Sequence, residues 1–327
     1  MRALLITNPN STSQSELMLR QVYARLREVP DLHLLVRQSH YPGHAAEMVS
    51  TLTRAECDVV IAVGGDGTVN EIVGGLLGSP EHPRASDEVP LLAVIPAGSA
   101  NVFARALGFP AEPADAAQTL AECILYDLRR TIRLGTWESL GADDEAEPDE
   151  ARWFAVNAGF GLDADVLHAV DKARAKGHAA TPLRYLRATL RGWARARVQP
   201  PRIDVHARSG ERTLELHGAQ LIFASNTNPW TFLGPLPVVT NPRNSFDKGL
   251  GVFGLTDIGG IGGFAGLLHL FGAYRLARGR VIQFDDAEWV ELRVPELHRF
   301  QADGESEGKL EHVRLRSIPD ALEVYSP

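Results

Sequence analysis

The sequence predicts a doubly wound α/β domain followed by a mainly antiparallel β-sandwich domain. Three observations carry this reading. Up to about residue 130, short runs that are apolar throughout alternate with segments of helical periodicity, the pattern of parallel strands covered on both faces. Beyond an acidic stretch at 138–150, strand-length segments bounded by Gly, Pro, Asn or Asp take over, which points to antiparallel pairing. The length of 327 residues allows two domains at about 150 residues each. The division expected is 1–130 and 131–327.

The elements follow in order. Ala3–Thr7 is an apolar run ending at Asn8-Pro9. Ser15–Val29 carries Leu17, Leu19, Val22, Leu26 and Val29 near helical spacing. Leu32–Val36 is a strand, His44–Arg54 a helix and Asp58–Val63 a strand. Thr68–Leu77 reads as helix, Leu91–Ile95 as strand and Asn101–Leu107 as helix. Glu138–Glu150 holds seven acidic residues and a proline, which predicts a solvated loop. The later strands are Trp153–Asn157, Arg202–Ala207, Leu214–His217, Gln220–Ser225, Gly251–Leu255, Val281–Phe284, Trp289–Arg293 and His312–Leu315. Helices are expected around Ala164–Lys176 and Leu183–Arg197.

Composition narrows the function classes. Hydrophobic residues make up 44% and charged residues 23%, ordinary for a globular chain. Cys57 and Cys123 are the only cysteines, too few for a disulfide scaffold or a thiolate zinc site. The start lacks the apolar core and cleavage site of a signal peptide. No apolar run reaches the roughly 18 residues of a membrane span. The protein is therefore read as cytosolic. A net charge of −8 argues against general nucleic-acid binding.

The chemistry concentrates at three turns. Val59–Val63 runs into Gly64-Gly65-Asp66-Gly67-Thr68, and a helix with Asn70 and Glu71 opens at once. Glycines let the backbone approach a ligand, and a helix start offers free N–H groups that suit phosphate. The plain alternative is a strand-to-helix turn with Asp66 or Thr68 as N-cap. The motif is neither a Walker A sequence nor a Rossmann fingerprint. A second turn, Pro96-Ala97-Gly98-Ser99-Ala100-Asn101, follows Leu91–Ile95, with a turn capped by Ser99 or Asn101 as the plain alternative. A third, Asn8-Pro9-Asn10-Ser11-Thr12-Ser13, follows the first strand. Parallel strands would bring all three to one sheet edge, where ligands bind in such folds.

These motifs resemble the diacylglycerol kinase catalytic-domain family, which includes sphingosine and ceramide kinases and bacterial lipid kinases. The carriers are Asn8-Pro9-x-Ser11, GGDGT with Asn70-Glu71, and PAGSAN, in the family's order. Asn157-Ala158-Gly159-Phe160-Gly161-Leu162-Asp163-Ala164, the Leu183–Trp193 segment and Asp303-Gly304-Glu305 fit as well. The GGDGT sequence alone is shared with NAD kinases. The resemblance implies an ATP-dependent phosphotransferase with nucleotide held in a cleft between two domains. It places Asn8, Pro9, Ser11, Thr12, Gly64, Gly65, Asp66, Gly67, Thr68, Asn70, Gly98 and Ser99 at the nucleotide. Ser39 stands where the family often has a nucleotide-contacting threonine, and Glu71 would order the GGDGT loop.

Roles for carboxylates follow from that resemblance. Asp66 would hold Mg²⁺, which prefers oxygen ligands. Glu305 matches the general base of bacterial members, and Asp66 is the competing base, as in sphingosine kinases. Taken alone, Asp303-Gly304 is a hairpin-turn signal. Many members hold a structural Mg²⁺ with paired aspartates in the β domain; here only Asp247 of Asp247-Lys248-Gly249-Leu250-Gly251 remains.

Two segments bear on the acceptor. Leu183, Leu186, Leu190 and Trp193 share a helix face beside a stripe of Arg184, Arg187, Arg191 and Arg195, which suits either an anionic membrane surface or a core-packed helix with a basic outer face. Ile258–Tyr274 suits an acyl-chain pocket or ordinary core. The expected function is transfer of the ATP γ-phosphate to a lipid hydroxyl, diacylglycerol by default, by a cytoplasmic protein transiently at the membrane. A kinase of a soluble acceptor and a non-catalytic nucleotide-binding protein are the alternatives. No nucleic-acid partner is expected, and a homodimer is left open.

Overall fold

The computed structural model describes residues 1–8, 15–140, 151–160, 201–233, 236–257 and 279–327. The chain divides into two compact units, Met1–Leu134 with Ile318–Pro327, and Gly135–Ser317. The last ten residues, expected in the second domain, thus belong with the first unit.

The first unit is built on β1 (Arg2–Thr7), β2 (His33–Gln38), β3 (Val59–Gly64) and β4 (Leu91–Pro96). Their order is β4-β3-β1-β2, and every pair is parallel. Every residue of β3 and β4 is buried, as a sheet covered on both faces requires. The helices are α1 (Glu16–Leu26), α2 (His44–Val49), α3 (Asp66–Leu77), α4 (Val102–Ala106) and α5 (Pro113–Leu125). Helix α1 packs on α5, and α2 on α3. Ser15 caps α1 by accepting the Met18 N–H at 3.1 Å.

Helix α5 is absent from the expected elements. Its signal was present: Pro113 sits in the first turn, and Ala116, Ala117, Leu120, Ala121 and Ile124 form a buried face.

The second unit is antiparallel. It holds β5 (Arg129–Ser139) from Gly135 onward, β6 (Arg152–Phe154), β7 (Asn157–Phe160), β8 (Ile203–Ser209), β9 (Arg212–Ala219), β10 (Leu221–Ser225), β11 (Thr231–Leu233), β12 (Leu236–Val238), β13 (Leu250–Leu255), β14 (Val281–Ala287), β15 (Trp289–Ala302) and β16 (Glu305–Tyr325) up to Ser317. The main order is β14-β13-β10-β7-β15-β16, with β8 and then β9 added beside β15. Strand β15 pairs with β8 over Trp289–Arg293 and with β7 over Phe300–Ala302. Its register to β16 shifts between Arg293 and His298, a stretch that contains Pro295, which has no N–H to donate. Trp137 and Phe160 each lie 5.1 Å from Phe300 by ring centroid, at the middle of the core.

Two strand expectations change. Trp153–Asn157 is not one strand: the chain bends at Ala155–Val156 between β6 and β7. Glu138 was expected in a solvated loop, but it lies in β5 and is buried, 3.0 Å from Arg316 and 3.6 Å from Arg314. The rest of the acidic stretch, both expected helices at 164–197 and the 258–274 segment fall outside the described residues. No described helix is long and apolar enough to cross a membrane.

Candidate active site

Strands β1, β3 and β4 end level with one another: Thr7 pairs with Val63, and Gly64 with Pro96. The GGDGT and PAGSAN turns therefore leave one sheet edge side by side. They touch through glycine. A Cβ on Gly98 would stand 2.6 Å from the Gly65 Cα, and one on Gly65 would stand 3.3 Å from the Gly98 Cα. A Cβ on Gly64 would meet the Thr68 side chain at 2.6 Å. Gly98 is required by backbone against backbone, before any ligand is considered.

The α3 cap differs from its plain alternative, while Asn101 is the N-cap residue of α4 but makes no side-chain cap bond. Gly65, not Asp66 or Thr68, is the N-cap of α3, and it has no side chain to satisfy the first-turn amides. Asn101 precedes α4 in the left-handed region, φ 52°, but its side chain turns back onto Gly98. Its Oδ1 accepts the Gly98 N–H at 2.7 Å, and its Nδ2 donates to the Gly98 carbonyl at 3.0 Å. The amides of α4 go instead to Asp66 on the neighbouring turn. Val102 N–H donates to Oδ2 at 3.1 Å and Phe103 N–H to Oδ1 at 2.9 Å. Burial pushes the Asp66 carboxyl above its ordinary value, and these two amides only partly oppose that.

Glu71, expected to order the GGDGT loop, braces α2 instead: its Oε2 accepts the Ala45 N–H at 3.3 Å. Ser39 is buried, and its hydroxyl and N–H both donate to the Thr7 carbonyl, at 3.4 and 2.9 Å. It fastens β2 to β1 and is not an open hydroxyl at the edge. Ser99 is exposed, while Asn8, Gly67, Thr68 and Asn70 are half-buried. Pro9, Ser11 and Thr12 lie outside the described residues.

In the second unit, Asp303 and Gly304 form a two-residue hairpin turn with φ of 49° and 85°, between the paired residues Ala302 and Glu305. Left-handed backbone at both positions is why Asp-Gly serves here. The hairpin reading is therefore correct, and the turn has a second job. The buried Asp303 carboxylate accepts three consecutive amides: Ala155 at 2.6 Å, Val156 at 2.7 Å and Asn157 at 3.0 Å. That is what shapes the bend between β6 and β7. The carbonyls of the same bend accept from Asn226 and Ser225. Glu305 is exposed at the start of β16. Asp303, Asn157, Gln301 and Asn226 were not singled out as site residues; a buried amide in an apolar strand was the available signal.

Asp247 is exposed. Among the described residues no three His, Cys, Asp or Glu side chains gather as a metal site would need.

Comparison with known proteins agrees with the first unit. Residues 2–133 match the diacylglycerol kinase catalytic domain. A Chromohalobacter salexigens protein named "Probable lipid kinase YegS-like" is 42% identical over 118 residues, 36% of this chain and 35% of that protein. The "Diacylglycerol kinase" of Bacillus subtilis is 35% identical over 136 residues, 41% of each. The matched stretch thus spans less than half the length of these relatives. A solved diacylglycerol kinase structure from Bacillus anthracis str. Sterne aligns with 100% of this chain and 97% of its own, at TM-score 0.64 and 18% identity, a likeness of fold. Residues 2–133, which include the GGDGT and PAGSAN turns, are thus similar to the diacylglycerol kinase catalytic domain.

Proposed function

We propose that this chain is an ATP-dependent lipid kinase that transfers the γ-phosphate to a lipid hydroxyl, with diacylglycerol as the expected acceptor. The observation that carries the reading is the pair of glycine turns at one parallel-strand edge, with α3 starting on a capless Gly65. Phosphoryl transfer needs positioned phosphates and neutralised charge more than covalent chemistry. The first-turn amides of α3 and its dipole supply both to an anion. Asn8, Asn70 and the exposed Ser99 are the polar groups that would hold the rest of the nucleotide.

Mg²⁺ fits this set as a cation brought by the nucleotide. Asp66 has two oxygens with about four acceptor sites, and two amides use only part of that capacity. Asp66 would hold the ion directly or through water, and the ion when bound would neutralise phosphate charge. Glu305 is the proposed general base, an exposed carboxylate presented on a braced turn. We also propose transient contact with anionic membrane through the Arg184, Arg187, Arg191 and Arg195 stripe, a proposal that rests on sequence alone.

The test is ATP consumption with and without mixed lipid vesicles, with mass spectrometry of phosphorylated products from a total lipid extract. Lipid-dependent turnover with a phosphorylated diacylglycerol supports the full reading. Turnover on a soluble alcohol alone selects a soluble-acceptor kinase, and binding without turnover selects a non-catalytic nucleotide-binding protein.

A further inference from the structure

Gln301 is almost completely buried, at 1% exposure, between Phe300 and Ala302 on β15. An apolar side chain would ordinarily fill such a place, since a buried amide must have all its groups paired to be tolerated. Gln301 uses both ends of its carboxamide. Its Nε2 donates to the Asn157 Oδ1 at 2.7 Å, at the start of β7. Its Oε1 accepts the Gly304 N–H at 3.1 Å, in the residue just before Glu305. A type I′ Asp-Gly hairpin forms without such help, and the tip of a strand pair is usually its least restrained part. Here the tip is tied twice. Asp303 is held by three amides of the bend and by its own N–H to the Asn157 carbonyl at 2.8 Å. Gln301 adds the tie on the Glu305 side, and Asn157 joins both.

We propose that Gln301, braced by Asn157, is a positioning residue that fixes the Asp303–Gly304 turn and so the direction in which Glu305 is presented. The inference rests on the proposed kinase reading, with Glu305 as base. Gln301 touches no reacting group in this scheme. It acts through Gly304, and its removal loosens a base that must stay within hydrogen-bond reach of a hydroxyl.

The test is a double-mutant cycle on lipid phosphorylation. Gln301→Met keeps the length of the side chain and removes both hydrogen bonds. In the parent background it lowers kcat about tenfold or more and leaves KM for ATP within about twofold. In a Glu305→Gln background, where there is no base left to aim, the same change costs less than about twofold. A loss of equal size in both backgrounds, or no loss in the parent, overturns the proposal, because damage to the fold alone does not depend on Glu305. If Gln301→Met fails to give a cooperative thermal transition, Asn157→Ala carries the same cycle, since it removes the acceptor that braces the Gln301 amide and leaves the Gly304 bond in place. Absence of any lipid phosphorylation by the parent chain removes the kinase reading and this inference together; turnover with equal losses removes the inference alone.

Discussion

Gly98 faces Gly65 so closely that a Cβ added to Gly98 would stand 2.6 Å from the Gly65 Cα and 2.9 Å from the Asn101 Oδ1. The two signature turns of the first unit are therefore one packed object. Gly98→Ala forces them apart, and backbone cannot yield as a flexible side chain can. The expected outcome is a loss of about 1–3 kcal/mol in stability, together with weakened ATP binding. A urea titration and a nucleotide-binding isotherm check it. Unchanged ATP affinity in a destabilised variant would separate the glycine contact from nucleotide binding.

Asp66 joins the same object from the other side, through the Val102 and Phe103 amides. Asp66→Asn keeps one acceptor oxygen and turns an amide NH₂ toward the second N–H. Loss of one cap bond lowers stability by about 1 kcal/mol, and lipid phosphorylation falls to background while the fold survives. The Mg²⁺ dependence then divides the roles. Activity restored by excess Mg²⁺ assigns the loss to the cation; activity that stays lost assigns it to the geometry of the two turns.

Much of the first unit was legible because its signals are local. Apolar runs such as Val59–Val63 and the Gly-rich turns after them need only neighbours in sequence to be read. What escaped was non-local. The carboxylate that accepts α4's amides lies 36 residues away on another turn, so a side-chain cap from Ser99 or Asn101 was the local reading. The Asp303 carboxylate reaches amides 146 to 148 residues distant, and a hairpin signal says nothing of such a contact. Val324 pairs in parallel with Leu92, placing the chain's end beside β4; neither segment's composition marks the other. Glu138 appeared solvated because its arginine partners come from β16.

Asp285 sets a pH dependence. Burial pushes its carboxyl up, but the Asn241 amide at 2.9 Å and the Arg243 guanidinium at 2.5 Å outweigh that, and the net position is below the ordinary value. A depressed folded value adds stability above the unfolded value of about 3.9, and that stability is lost as pH falls through the folded value. Asp285→Asn is therefore expected to cost about 1 kcal/mol at pH 7, with the difference from the parent closing in acid, as pH falls through the lowered folded value. Urea midpoints at neutral pH and in acid measure it. A gap that persists in acid would mean the side chain matters for shape and not for charge.

Glu305 carries the last expectation. A lipid hydroxyl is a poor nucleophile, and a positioned carboxylate that takes its proton contributes about 10²–10⁴-fold. Glu305 is exposed at the first position of β16, on a turn whose two preceding residues have left-handed backbone and whose Asp303 is pinned by three amides. Its backbone is thus fixed while its side chain is exposed. Glu305→Gln preserves size and hairpin pairing and removes only the capacity to accept a proton. The expected result is a fall in kcat within that range, ATP affinity nearly unchanged and the acidic limb of the pH–rate profile gone. If ATP binding collapses while kcat at saturation holds, Glu305 is a nucleotide or metal contact, and the base must be sought at Asp66.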